Sequence, residues 1–232
     1  MSPLQIAFIV LTFALPPLLV WFGRRSRQAS FDHRVCLILG IVLLVLEAID
    51  VLGKHSEGKL TLQYALPMQL CDWALFASAF ALLFRSAIAF DLAYFWGLGG
   101  TVQALFTPAV GPDLSLWRLA GFFAIHSGIV IAVLYLLISR RFRPRPRSLM
   151  HVAIASQIYL GVALLINRYA DANYGFLSTK PLTRTMLDLL SDEHWLYLIQ
   201  LNALAFFLFG VLYAPWFVAD LRAGRIKAEA AA

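Results

Sequence analysis

The chain has 232 residues, 61% hydrophobic and 14% charged, with a mean hydropathy of +0.76. A soluble domain carries roughly 45–50% apolar and about 25% charged residues, so this composition excludes a soluble fold. The apolar blocks show no period-2 alternation, which excludes a transmembrane β-barrel. The net charge of +6 flanks the apolar blocks, which points to cationic membrane loops and away from nucleic acid.

Taken in order, the blocks predict an all-α polytopic membrane protein of about seven transmembrane helices. They form one bundle in a single domain over residues 1–232. The first helix, about 4–22, lacks a basic segment before it and a cleavage site after it. It reads as a retained helix, not a signal peptide, and Pro16 and Pro17 lie inside it. The second spans about 35–53. The third, about 67–84, opens on Pro67, a residue suited to a first helical turn. The fourth runs over about 88–106 and ends at Pro108, Gly111 and Pro112. The fifth covers about 117–138 and is closed by an Arg-Pro loop, 140–147. The sixth covers about 149–166, a polar stretch follows, and the seventh covers about 194–218. The tail at 228–232 reads as frayed.

Thirteen Lys and Arg residues fall on one side of this topology, in the loops near 24–34, 85, 140–147 and 222–227. Six fall on the other: Lys54, Lys59, Arg118, Arg168, Lys180 and Arg184. The positive-inside rule then sets a cell-membrane protein with its N-terminus outside and its C-terminus cytoplasmic. The Arg-Pro loop sets topology or holds anionic lipid headgroups. Cys36 and Cys71 fall near opposite faces, beyond the ~7 Å Cα separation that a disulfide spans.

Polar residues inside spans are costly and tend to face the bundle interior. Glu47, Asp50, Gln69, Cys71, Asp72, Gln103, His126, Asn167, Gln200 and Asn202 all fall in the outer half of the bilayer, with Gln157 near the middle. This predicts one shared polar cavity open outward. Gln103 and Gln157 also read as hydrogen-bonding glue between helices, and Glu47 and Asp50 as interfacial carboxylates. Gln200 and Asn202, two apart, do not share a face. His194 and Trp195 read as interfacial anchors.

His126 lies about 12 Å below the start of its helix, where an imidazole needs a partner. Cys71 sits near a helix start, which favours a thiolate, although a small buried cysteine is also ordinary core. The two share a depth, and a thiol beside an imidazole at a lipid-accessible cavity is suited to acyl transfer. The tight His/Cys spacing of a metal site is missing, and no cofactor is expected.

Several stretches resemble a family of bacterial integral membrane proteins described as YwaF-like. They are 66–73 (LPMQLCDW), 94–105 (YFWGLGGTVQAL) with Thr107 and Pro108, 126–129 (HSGI), 143–148 (RPRPRS), and 173–177 (NYGFL) with Lys180 and Pro181. That family is distantly similar to a vertebrate transmembrane lipid acyltransferase that uses a cysteine. The resemblance implies Cys71 as nucleophile and His126 as base. It also marks Asn173 and Tyr174 as a lid over the cavity or a structured turn.

Two functions fit. One is a phospholipid acyltransferase with catalytic Cys71 and His126. Glu47, Asp50, Gln69, Asp72, Gln103, Asn173 and Tyr174 would then surround the substrate, and membrane lipids would be the partners. The other is a small-solute or proton-coupled transporter or receptor using Glu47, Asp50, Asp72 and His126 in the same cavity.

Overall fold

A computed structural model describes residues 1–26, 30–111, 114–139 and 141–223. Arg27, Pro112, Arg140, Arg225, Lys227 and the tail at 228–232, all invoked above, lie outside the described residues.

The described residues form helices and connecting turns, without strands. Helix α1 covers Pro3–Ser26, α2 Phe31–Ser56, α6 Leu116–Ile138, α7 Ser148–Ala170 and α8 His194–Arg222. These five are long and apolar enough to cross a membrane. Helix α3, Leu70–Phe84, is shorter but equally apolar. The fourth predicted span is three pieces: α4, Ala87–Trp96, a π-helical segment, Gly97–Thr101, and α5, Val102–Phe106. Large apolar side chains such as Ile38 on α2, Ile158 on α7 and Phe207 on α8 are exposed. On a soluble protein such surface is a liability; here it is the face that meets lipid.

Helices α3, α4 and α6 make the core, with Leu75, Phe90, Phe95 and Ile129 fully buried. Helix α3 begins at Leu70, three residues after the predicted Pro67. Residues 66–69 turn instead: Met68 N–H donates to the Leu66 carbonyl at 2.8 Å. Asp72 then caps the helix by accepting from Gln69 N–H at 2.8 Å. At its other end Arg85 adopts a left-handed φ of 56°, and Ser86 caps α4 by accepting from Ala89 N–H at 3.2 Å. This tight αα turn needs no long loop.

The Arg-Pro loop straps one end of the bundle. Arg141 pairs with Asp32 of α2, to which Tyr135 also donates. Arg143 pairs with buried Asp220 of α8. Buried Asp91 of α4 accepts from Arg145 at 2.7 Å and Ser148 at 2.6 Å, and lies 2.9 Å from His151 Nδ1. These three arginines are therefore taken up by carboxylates of the protein itself. At the opposite end the 57–69 and 171–177 turns meet: Gln63 donates to the Asp171 carbonyl, and the Tyr174 hydroxyl to that of Leu62.

Candidate functional site

A cavity of about 260 Å³ opens beneath this second end. Its walls come from the start of α3, the π segment with α5, the middle of α6, one face of α8 and the 175–187 loop. Leu201, Leu204, Ala205 and Leu208 recur at three- and four-residue spacing and present one apolar face of α8. The π segment widens helix four where it passes the cavity. Thr101 hydroxyl donates to the Trp96 carbonyl five residues back at 3.3 Å, and such segments are frequent at functional sites.

Four of the nine predicted site residues line this space: Gln69, Cys71, Gln103 and His126. Cys71 is the second residue of α3 and is half-buried. Its Sγ has a long contact, 3.9 Å, with Asp72 Oδ1. His126 is buried, and its Nδ1 lies 2.7 Å from the Phe122 carbonyl oxygen. A carbonyl only accepts, so Nδ1 carries the proton and Nε2 of the neutral ring keeps its lone pair. The Phe122 ring lies against the imidazole at 4.1 Å. Gln69 Oε1 accepts from the Gly175 N–H at 2.9 Å. The amide nitrogen is therefore the end left to donate.

The other five stand elsewhere. Asp50 is paired with Lys54 at 2.9 Å and with Arg118 at 2.8 Å, and Arg118 also reaches Glu57 at 3.1 Å. Glu47 is buried on α2 and Asp72 serves as the α3 cap. Neither lines the cavity. The shared polar cavity expected from the sequence is thus two features: a mostly apolar cavity, and a separate ion-pair cluster of Asp50, Lys54, Glu57 and Arg118. Asn173 organises its own turn, donating to the Thr179 carbonyl at 2.9 Å and accepting from the Ser178 and Thr179 N–H groups. Tyr174 is buried under the 62–66 turn, accepting from Leu66 N–H at 3.1 Å. Among the described residues no three His, Cys, Asp or Glu side chains converge on a metal-binding geometry.

Gln157 and Asn202 face each other as a reciprocal amide pair at 3.3 Å between α7 and α8. Gln200 accepts from Ser191 N–H at 2.6 Å, so neither Gln200 nor Asn202 reaches the cavity. The sequence reading missed the roof formed by Phe176, Pro181, Thr185, Met186 and Leu187. A signal was present. Thr185 and Asp188 form a capping box, with Asp188 accepting from Thr185 N–H at 2.7 Å and Thr185 Oγ1 accepting from Leu187 N–H at 3.2 Å.

The family model described as the TMEM164 family matches residues 1–213, which include the whole cavity wall. No curated protein and no solved structure matches the chain.

Proposed function

The chain belongs to the TMEM164 family, and on that premise we propose that it is a cysteine-dependent acyltransferase acting on membrane phospholipids. One observation carries the reading: a thiol and an imidazole share a cavity whose remaining wall is mostly hydrocarbon. A headgroup in such a space would lose its hydrogen bonds; an acyl chain loses none. The resemblance to YwaF-like proteins, and through them to a vertebrate lipid acyltransferase, supports the same assignment.

In the reaction, His126 Nε2 takes the Cys71 thiol proton and the thiolate attacks the ester carbonyl. The Gln69 and Gln103 amides donate to the oxyanion. Collapse breaks the ester C–O bond, and the imidazolium protonates the leaving lysophospholipid oxygen. An acyl thioester remains on Cys71. The acceptor hydroxyl then gives its proton to Nε2 and attacks the thioester, which returns the acyl group to oxygen and the thiolate to Cys71. The reading places the protein in the cell membrane, N-terminus outside and C-terminus cytoplasmic, with the cavity in the outer half.

The test is purified protein in detergent with phospholipid and lysophospholipid, acyl exchange being followed by mass spectrometry. Exchange that Cys71→Ser abolishes is expected. If wild type exchanges no lipid pair, the transporter or receptor reading replaces this one.

A further inference from the structure

One buried side chain outside the cavity is tied to it through a chain of hydrogen bonds. Asn167, near the end of α7, is 6% exposed. Its side-chain amide engages both main-chain groups of Tyr174. Oδ1 accepts from Tyr174 N–H at 2.8 Å, and Nδ2 donates to the Tyr174 carbonyl at 3.0 Å. Two bonds from one planar amide hold the two peptide groups that flank Tyr174, the second of which carries the Gly175 N–H. The next N–H along the chain is that of Gly175, which donates to Gln69 Oε1. Gly175 has a φ of 66°, a conformation that glycine adopts without strain, and it aims this N–H across to α3. Gln69 precedes α3, two residues before Cys71, and lines the cavity.

We infer that Asn167 is a positioning residue for acyl transfer: through Tyr174 and the Gly175 N–H it holds the Gln69 amide with its NH₂ group toward the cavity. This rests on the acyltransferase reading above. A glutamine amide that is free to turn presents oxygen as often as nitrogen, and an oxygen facing a developing oxyanion repels it. The Gly175 donor removes that choice, because only Oε1 satisfies it. Asn167 in turn holds the loop that carries the donor.

The test is a double-mutant cycle on Asn167→Ala and Gln69→Ala, with kcat and KM measured for acyl exchange. Loss of one oxyanion donor costs about 10²-fold in kcat, so Gln69→Ala should fall by that much. Asn167→Ala should lower kcat by about tenfold with KM little changed, and the double variant should match Gln69→Ala alone. Gln63→Ala, which cuts another tie at the same end, should keep kcat within about twofold. Should Asn167→Ala not fold, Asn167→Asp keeps the acceptor for Tyr174 N–H and enters the same cycle. Additive losses, or a loss confined to KM, overturn the inference while leaving the enzyme intact. A wild type with neither turnover nor an acyl thioester on Cys71 overturns the acyltransferase reading instead.

Discussion

The His126 imidazole donates from Nδ1 to the Phe122 carbonyl one helical turn earlier, at 2.7 Å. The bond uses a group already in the same helix, so the ring is oriented without a second polar residue entering an apolar bundle. It leaves Nε2 as the one basic nitrogen among the described residues that line the cavity with Cys71. His126→Ala should therefore slow acyl exchange by roughly 10²–10⁴-fold, with the protein still inserting and folding. Turnover at the wild-type rate would remove the imidazole from the mechanism.

Cys71 is half-buried on the cavity wall, whereas Cys36 is buried in the core at 4% exposure. A lipid-like acylating electrophile should label Cys71 well ahead of Cys36, as read by peptide mass spectrometry. Equal labelling, or labelling of Cys36 first, would contradict the cavity as the point of access.

Gly175 leaves no room for a side chain. An added Cβ would stand 2.5 Å from the Tyr159 hydroxyl, which itself donates to the Met68 carbonyl at 3.1 Å. Gly175→Ala combines that clash with a left-handed backbone and should cost ~1–3 kcal/mol. A lowered unfolding temperature in detergent, together with reduced exchange activity, is the expected result.

At the other end, Asp220 is fully buried against Arg143. Arg143 is 31% exposed and Asp220 0%, so Asp220→Ala leaves the guanidinium within reach of water, whereas Arg143→Ala takes a cation from the buried carboxylate and should destabilise more, by about 1–3 kcal/mol. Adding Asp220→Ala should restore part of that loss, because the buried charge goes with it. Thermal unfolding of the three variants decides the matter. A double variant less stable than Arg143→Ala counts against the strap as an ion pair.

The roof loop is tied down by Lys180, which donates to the Leu190 carbonyl and to Asp192, each at 2.7 Å. The hydrogen bond and charge of Lys180 hold the Asp192 carboxyl below the ordinary aspartate value of 3.8. A depressed folded value means that the tie is present above the ordinary value and is lost as pH falls through the depressed one. The Lys180–Asp192 tie should persist from pH 8 to 5 and release only in stronger acid. In Lys180→Met the Asp192 titration, followed by carboxyl ¹³C shift, should move up to the ordinary range; an unmoved midpoint refutes the tie.

Much of the fold was legible because a bilayer forces helix length into the sequence as apolar length. Helix rise was legible too: counting 1.5 Å per residue gives Cys71 and His126 one expected level, and both line the same cavity. Azimuth was not. Glu47 and Asp50 do not line the cavity, and the partners of Asp50, Lys54 and Arg118, read in the sequence only as topology charges. The roof's place over the cavity was illegible for another reason, although its capping box was not. Its residues follow no period, and their placement comes from long-range bonds such as that between Gly175 and Gln69. Pro67 misled because proline suits a helix start but suits a turn equally well.

The π segment turns chain length into a form of stored information. Residues 97–101 hold one residue more than an α-helical path through the same turn requires. Were the same residues to rewind as a regular α-helix, all that follows would arrive about 100° out of phase, and Gln103 would swing off the cavity wall with the sequence unchanged. Deleting one residue there removes the bulge instead: the phase beyond it is kept, and the widening beside the cavity is lost. The loop around Gly58, where an added side chain meets nothing, absorbs no such residue. Insertions and deletions should therefore be read differently in the two places, as neutral spacing in one and as a change in the bore of the site in the other.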